Sequence, residues 1–237
     1  MKTAEERSRI WRRRQWWLPA PVFQAVTARR RDVLFLWVPK CAGMSIYRTL
    51  VKYGCDEERW DRPMEPFSNR GIVTFGHVDV MSLLEQGLLS RRFFDRAFKF
   101  AFVRNPYDRM VSLFFYLKKV LRPEVPEAMT FPEFCLAVER EAGPQVGLYN
   151  YQGLSQCNPM LSWLTDRNGK IIADFIGRHE NLEQDFQHVC RQIGIKETIP
   201  HENKSEHKPY RHYYTDQTRA IVEKLYRKDL DAFDYSF

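Results

Sequence analysis

The sequence predicts an α/β fold in which helices flank a mainly parallel central sheet. Short apolar runs rich in β-branched and aromatic residues alternate along the chain with stretches whose apolar residues recur at helical spacing. Continuous apolar runs are typical of strands buried on both faces, as parallel strands are. The 237 residues, 44% hydrophobic and 14% aromatic, supply the core of one such domain and exclude a disordered or fibrous chain.

Three strands are predicted in the first half of the chain, at residues 33–38, 71–76 and 98–103. Each is a short apolar run, and Pro39 ends the first of them. A glycine-bearing turn and a helix over residues 45–52 follow the first strand. Because ligands of parallel sheets bind beyond the carboxyl ends of the strands, the residues directly after these strands are the first candidates for a site.

A long helix is predicted after the third strand. Pro106 is tolerated in a first helical turn, and the apolar residues after it recur at helical spacing. These residues are Met110, Val111, Phe114, Phe115, Leu117 and Leu121. Thr130 and Glu133 match a capping box, so the next helix is predicted from there to about Glu141.

The C-terminal half adds a fourth strand and further helices. The strand is predicted at residues 171–176, from the run Ile-Ile-Ala-Asp-Phe-Ile. A helix over residues 182–193 follows it, and Gly194 is placed to end that helix. The tail from Thr215 to about Phe233 carries apolar residues at helical spacing and is predicted to be helical.

Charge and cysteine content restrict the partners and the compartment. Lys+Arg 37 against Asp+Glu 30 gives a net charge of +7, which favours an anionic partner. Five cysteines, without C-x-x-C or zinc spacing, indicate a reducing compartment and no structural metal. Pro19, Pro21 and Gln24 interrupt the apolar stretch at residues 16–26, so neither a transmembrane helix nor a signal peptide is expected. These features predict a cytoplasmic protein with at most peripheral membrane contact.

The chain divides into a basic Trp- and Arg-rich segment at residues 1–32 and a domain at residues 33–237. Eight arginines surround Trp11, Trp16 and Trp17 within the first 31 residues. Such a segment can lie on an anionic membrane or bind a polyanion. The alternative is a solvated arm whose tryptophans pack on the domain, which charge runs more often are.

The first candidate site is the loop Pro39-Lys40-Cys41-Ala42-Gly43-Met44-Ser45. The small Ala42 and Gly43 let the backbone curl closely around a ligand, and the following helix turns its free N–H groups toward the loop. Lys40 adds a full charge and Ser45 a hydroxyl. The lysine precedes the glycine, which is the wrong order for a nucleotide-hydrolysing P-loop. An ordinary strand-to-helix turn with a surface lysine is the alternative for this loop alone.

A second candidate site follows the third strand. Arg104 lies at the exit of that strand, and Ser112 lies two turns into the next helix. An arginine fork and a hydroxyl suit a phosphate monoester. The alternatives are that Arg104 only pairs with Asp108 and that Ser112 is a neutral helix residue. Two phosphate-type sites at neighbouring strand ends indicate one ligand with phosphates at both its ends.

These motifs resemble those of the sulfotransferases that use 3′-phosphoadenosine 5′-phosphosulfate, particularly carbohydrate sulfotransferases such as heparan sulfate 2-O-sulfotransferase. The resemblance covers most of the chain from Val33 onward. The loop 39–45 is similar to that family's 5′-phosphosulfate loop, and Arg104 with Ser112 to its 3′-phosphate site. Residues 175–186 and the tail 213–233 resemble the family's C-terminal half, and all four motifs occur in the family's order.

The resemblance implies a P-loop-like core and a metal-free sulfuryl transfer to a hydroxyl acceptor, a carbohydrate or glycolipid, with no nucleic-acid partner. The implied donor contacts are Pro39, Lys40, Cys41, Ala42, Gly43, Met44, Ser45, Arg104 and Ser112. Met44 stands where relatives usually carry threonine, which removes one hydroxyl contact and implies weaker donor binding. Ser205 and Lys208 lie where relatives close a loop over the donor, with a solvated loop as the alternative.

His77 is the predicted general base, and Lys40 with the loop amides is expected to stabilise charge on the departing phosphate. An imidazole titrates near neutrality, and His77 directly follows the second strand, beside the loop 39–45, which we call the donor loop. The resembling family has a Gly-His pair at this point, whose histidine is the proposed base. Phe75 stands where some relatives have a second histidine, which argues against a two-histidine scheme. The other five histidines, expected at surface positions, are His179, His188, His201, His207 and His212.

Two other functions stay open from the sequence: a nucleotide kinase-like enzyme and a non-enzymatic binder of polyanions or membrane surfaces. A kinase needs a lysine after the glycine and a carboxylate for its metal, and neither is found in the sequence. A binder would leave the strand-end pattern of Lys40, His77 and Arg104 unexplained.

Overall fold

The computed structural model describes residues 32–51, 64–67, 71–74, 78–120, 125–141, 154–199 and 208–237. Residues 1–31, His77 and Ser205 lie outside the described residues, so what was predicted for them stays a prediction. Among the helices within these ranges, none is long and apolar enough to cross a membrane.

A sheet with the strand order β2-β3-β1-β4-β5 forms the centre of the described structure. Its strands are β1 (Val33–Leu36), β2 (Met64–Phe67), β3 (Gly71–Thr74), β4 (Phe98–Val103) and β5 (Phe175–Arg178). β1 pairs in parallel with β3 and β4, β4 pairs in parallel with β5, and β2 is antiparallel to β3. The predicted α/β fold is confirmed, and the carboxyl ends of β3, β1, β4 and β5 lie at one edge of the sheet.

Helices flank the sheet and connect its strands. They are α1 (Gly43–Val51), α2 (Val80–Glu85), α3 (Arg91–Arg96), α4 (Pro106–Val120), α5 (Phe131–Glu141), α6 (Leu161–Leu164), α7 (Leu182–Ile193), α8 (Asp216–Leu225) and α9 (Arg227–Phe233). Short 3₁₀ turns at His179–Asn181 and Tyr210–Tyr213 precede α7 and α8. The predicted alternation of strands and helices is therefore present.

Local signals placed several helix ends correctly. The Glu133 carboxylate accepts the Thr130 N–H at 2.7 Å, while the Glu133 N–H donates to Thr130 Oγ1 at 3.4 Å, which is the predicted capping box. Gly194 adopts φ 76° directly after α7, the left-handed conformation that ends helices and that glycine adopts without a steric penalty.

Several elements differ from the prediction. β1 ends at Leu36 and not at Val38, and the antiparallel strand β2 was not predicted. The fourth strand begins at Phe175, because Asp174 accepts the Lys99 N–H on its carboxylate and donates its own N–H to the Lys99 carbonyl, which sets the start of pairing with β4. Ile171 instead forms an isolated bridge with Thr165. The helical tail breaks at Tyr226, whose φ of −112° and ψ of 21° separate α8 from α9.

The two central strands carry the core. Every side chain of β1 and β4 is buried, and the rings of Phe35 and Phe100 stack across the two strands with centroids 4.9 Å apart. A second apolar cluster joins α4 to α5 and α8. The described core thus consists of two apolar clusters, one around the sheet and one between helices.

Candidate functional site

The loop after β1 has the backbone shape of an anion-binding turn. Lys40 and Ala42 adopt φ 64° and 65°, on either side of Cys41. Such values are uncommon for residues other than glycine and are retained where the surrounding structure imposes them. Left-handed residues alternating with their neighbours form concave backbone nests that bind phosphate groups. The loop therefore combines a lysine with a backbone suited to an anion.

Helix α1 begins at this loop and adds further donors. The Ile46 N–H donates to the Ala42 carbonyl at 3.2 Å, and the amides of residues 43 and 44 precede it in the first turn, where backbone N–H groups lack an intrahelical partner. Gly43 is needed here for packing, since a Cβ at this position would lie 2.0 Å from Trp37 Nε1. The glycine that the sequence assigned to ligand approach thus also admits the Trp37 indole.

The Cys41 side chain turns away from this surface. Its thiol contacts the Pro39 carbonyl at 3.5 Å and Met160 Sδ at 3.7 Å within the core. Burial raises the pKa of Cys41 to about 12, so the thiol stays neutral and unreactive at physiological pH. Cys41 can therefore serve a ligand through its backbone alone.

Arg109, on helix α4, anchors the loop 39–45 and was not among the predicted site residues. The side chain is 1% exposed, and Nε donates to the Pro39 carbonyl at 3.1 Å. The two other guanidinium nitrogens donate to the carbonyls of Asn158 at 3.0 Å and Gln156 at 2.7 Å. The available signal was an arginine directly before the apolar stripe of the predicted long helix.

We expect Arg109→Met to destabilise the protein by about 3 kcal/mol or more, because carbonyl groups in a buried setting lose a charged donor. Arg91→Met is the matched control, since the Arg91 side chain is 71% exposed and its described partners are the exposed Asp95 carboxylate and the Phe94 ring. That control is expected to change stability by no more than about 0.5 kcal/mol. Urea unfolding measures both, and similar losses for the two variants would show that Arg109 does not hold the loop.

Arg104 joins the ends of β1 and β4. Its guanidinium donates to the Asp108 carboxylate at 2.7 Å and to the Lys40 carbonyl at 3.4 Å. The pairing with Asp108, one of the alternatives from the sequence, is therefore present together with a contact to the loop. These bonds use Nε and one terminal nitrogen, so the guanidinium retains donors for an anion.

Helix α4 presents one face to the loop. Asp108, Ser112 and Tyr116 are spaced four residues apart, which places them on the same side of the helix. Asp108 binds Arg104, and the Tyr116 ring lies 4.0 Å from Lys40 Nζ. Ser112, buried between these two positions, is thus on the face that borders the loop.

The surroundings of Lys40 disfavour its charged form. Burial lowers the pKa of Lys40 to about 8, and the charges of Arg104 and Lys119 act in the same direction. An anion bound in the loop would oppose these effects and favour the ammonium form. The site is accordingly suited to a ligand with strong negative charge.

The end of β5 adds His179, one of the five histidines expected at surface positions. His179 directly follows β5 and is half-buried. Burial and the charge of Arg104 lower the pKa of His179 to about 4, which keeps the imidazole neutral at physiological pH. His179 was not recognised as a residue of the site because the strand was predicted to end at Ile176, two residues before the observed end of β5.

The C-terminal segment closes this side of the site. Glu180 accepts the Asn105 N–H at 2.8 Å and the Tyr235 hydroxyl at 2.7 Å. The Asn105 side-chain amide donates to the Ser236 carbonyl at 2.8 Å. The residues just beyond β4 are thereby tied both to β5 and to the end of the chain.

The structure thus brings together most of the predicted donor-binding residues. The loop 39–45 and Arg104 are in direct contact, and Ser112 lies on the facing helix. Lys208 is exposed, and its N–H donates to the Tyr213 hydroxyl at 3.1 Å. A donor contact from Lys208 stays a prediction. In the part of the chain that the structure describes, no group of three or more His, Cys, Asp or Glu side chains could hold a metal ion.

Known proteins provide three comparisons. A family model described as "Sulfotransferase family" matches residues 23–236. A protein of Archaeoglobus fulgidus, described as an uncharacterized protein, is 31% identical over 111 residues, which are 47% of this chain and 79% of that protein. The crystal structure of mouse sulfotransferase SULT7A1 complexed with PAP has a TM-score of 0.51 and 15% identity, covering 92% of this chain and 94% of that chain. The structural likeness supports the fold.

Proposed function

Since the chain belongs to the sulfotransferase family, we propose that it transfers a sulfuryl group from 3′-phosphoadenosine 5′-phosphosulfate to a hydroxyl of a carbohydrate or glycolipid. The observation that carries the choice of donor is the contact between Arg104 and the Lys40 loop, because it joins two phosphate-type sites at neighbouring strand ends. The mouse sulfotransferase with a similar fold was solved with PAP, which also supports an adenosine bisphosphate ligand.

The residues present fit this donor. The left-handed backbone at Lys40 and Ala42, with the first amides of α1, would hold the 5′-phosphosulfate end. Arg104 and Ser112 would hold the 3′-phosphate, since a guanidinium matches a phosphate dianion in charge and geometry. When bound, the donor supplies the sulfuryl group that the acceptor oxygen receives.

Catalysis by this chain rests on charge and position. Lys40 and the loop amides stabilise negative charge that grows on the phosphate side of the breaking bond. His77 accepts the proton of the acceptor hydroxyl, which becomes more acidic as the oxygen attacks. Arg109 takes part only by holding the Pro39 carbonyl, and with it the loop.

A carbohydrate acceptor is supported by the resemblance to carbohydrate sulfotransferases and by the net charge of +7. A cationic protein attracts glycans and glycolipids that already carry anionic groups. A screen with labelled donor over neutral glycans, anionic glycans and lipid extracts tests this assignment. Transfer only to small alcohols or peptide hydroxyls would contradict it.

The donor assignment is tested by binding of adenosine 3′,5′-bisphosphate without added metal, measured by calorimetry. Arg104→Ala is expected to weaken this binding roughly 10- to 150-fold, because a charge-assisted contact to the 3′-phosphate is lost. Adenosine 5′-phosphate lacks that phosphate, so its affinity should change far less. Arg91→Ala, at an exposed pair, is the control and should leave both affinities unchanged.

Two results would contradict the assignment. Equal losses for the two nucleotides in Arg104→Ala would remove Arg104 from the 3′-phosphate site. A wild-type protein that ignores adenosine 3′,5′-bisphosphate but binds ATP with Mg²⁺ would favour the kinase-like alternative.

A further inference from the structure

The ammonium group of Lys40, in the donor loop, contacts the aromatic ring of Tyr116. Its Nζ lies 4.0 Å from the centroid of the Tyr116 ring, close enough for a direct cation–π interaction. Tyr116 is on helix α4, one turn beyond Ser112, and 37% of it is exposed. The ring is therefore part of the same wall as the proposed 3′-phosphate site, and no donor contact was assigned to it.

We propose that Tyr116 is a positioning residue whose ring holds the Lys40 ammonium charged and in place for the donor. The inference rests on the proposed function, because it gives the ring a role at the same donor site. The hydroxyl of Tyr116 has no part in it, since a cation interacts with the face of the ring.

The charges around Lys40 explain why such a partner is useful. Arg104, from the end of β4, and Lys119, from helix α4, both disfavour a second positive charge nearby. Cys41, in the loop itself, acts in the opposite direction, but its buried thiol stays neutral. Asp108 is already engaged by Arg104 at 2.7 Å. The electron-rich face of Tyr116 is the partner that contacts the ammonium directly.

The ring also restricts where the ammonium can go. Lysine has a flexible four-carbon stem, and fixing it costs conformational entropy that a pre-formed contact removes before the donor binds. The Lys40 backbone is held by its left-handed conformation and by the Arg104 contact to its carbonyl. With the ring, both ends of the side chain have defined positions.

The direct test measures the pKa of the Lys40 amine by competitive labelling with acetic anhydride and mass spectrometry, in full-length protein without donor. Tyr116→Leu keeps apolar cover over the stem but removes the ring, and is expected to lower that pKa by about one unit. Tyr116→Phe keeps the ring and should stay within about 0.3 units of wild type. A merely structural role for Tyr116 would not separate the two variants in this way.

A second measurement follows donor affinity by calorimetry from pH 7 to pH 9, without acceptor. Tyr116→Leu should bind the donor more weakly at pH 8, by up to about fivefold, because a one-unit lower pKa reduces the charged fraction of Lys40 there from about one half to about one tenth. Tyr116→Phe should follow the wild-type curve throughout. Thermal unfolding of both variants identifies any general loss of folding.

The outcomes separate this inference from the proposed function. An unchanged or raised Lys40 pKa in Tyr116→Leu would overturn the inference, since the ring would then only exclude water. Equal damage in Tyr116→Phe and Tyr116→Leu would overturn it as well. A wild-type protein that binds no donor would contradict the proposed function, while the labelling experiment would still decide whether the ring supports the Lys40 charge.

Discussion

His77→Asn is expected to lower turnover about 10²- to 10⁴-fold, the range that loss of a general base produces. Asparagine keeps a similar size and some hydrogen bonding but cannot accept a proton near neutral pH. Binding of adenosine 3′,5′-bisphosphate should be almost normal, because a general base is expected to contact the acceptor hydroxyl and not the nucleotide. Steady-state kinetics with a labelled donor and calorimetry measure the two effects separately.

Contacts at the end of β3 show at which edge of the sheet this strand ends. Thr74 Oγ1 accepts the Trp37 N–H at 3.0 Å and donates to the Phe35 carbonyl at 3.3 Å. β3 is parallel to β1, with Thr74 opposite Leu36. The chain therefore leaves β3 at the same sheet edge at which the donor loop leaves β1, and His77 follows three residues later.

The described histidines are weaker candidates for the base. Burial and Arg104 lower the pKa of His179 to about 4, which makes it a poor proton acceptor. His188 stacks on Phe175 with ring centroids 4.5 Å apart, and burial lowers its pKa too. His212 is exposed, so His212→Asn is the matched control and should keep wild-type activity.

If His77→Asn retained most activity, or kept the acidic limb of the wild-type pH–rate profile, His77 would not be the base. The next residue to test would then be His207, in the segment before Lys208.

Lys40→Ala is expected to lower turnover about 10²- to 10³-fold, with a smaller loss of donor affinity. In the proposed mechanism Lys40 stabilises negative charge on the phosphate, and this charge grows as the bond to the sulfuryl group breaks. An interaction that strengthens in the transition state acts on kcat. Lys228→Ala removes an exposed lysine from α9 and is the matched control. Normal turnover with only a raised KM for the donor would show that Lys40 contributes to binding alone.

The pH dependence of the same reaction provides a sign test. In the proposed mechanism Lys40 acts in its protonated form. Its pKa of about 8 in the free protein means that this form is nearly complete at pH 6.5, half present at pH 8 and mostly lost by pH 9. At low donor concentration, kcat/KM for the donor should therefore fall as the pH rises through 8. Lys40→Arg keeps its charge throughout this range, so the fall should disappear whatever its overall activity.

Much of the fold followed from interactions between near neighbours in the chain. The apolar runs of β1 and β4 predicted buried strands because both faces of those strands are covered by side chains of the core. The Thr130–Glu133 cap and the left-handed Gly194 depend on bonds within a few residues. The start of β5 depends instead on Asp174 and Lys99, which are distant in the sequence, and its prediction was wrong.

The sequence by itself determined the family, the parallel strands with the helices between them, and the residue types of the donor loop, because small residues, a lysine and a strand end are local features. The antiparallel strand β2 was not predicted. Only the tertiary structure decided which side chains complete the site. Arg109 reaches the Pro39 carbonyl, Tyr116 reaches Lys40, and the end of β5 brings His179 toward Arg104. Each of these approaches joins parts of the chain that are distant in the sequence, so no pattern along the chain predicts its geometry.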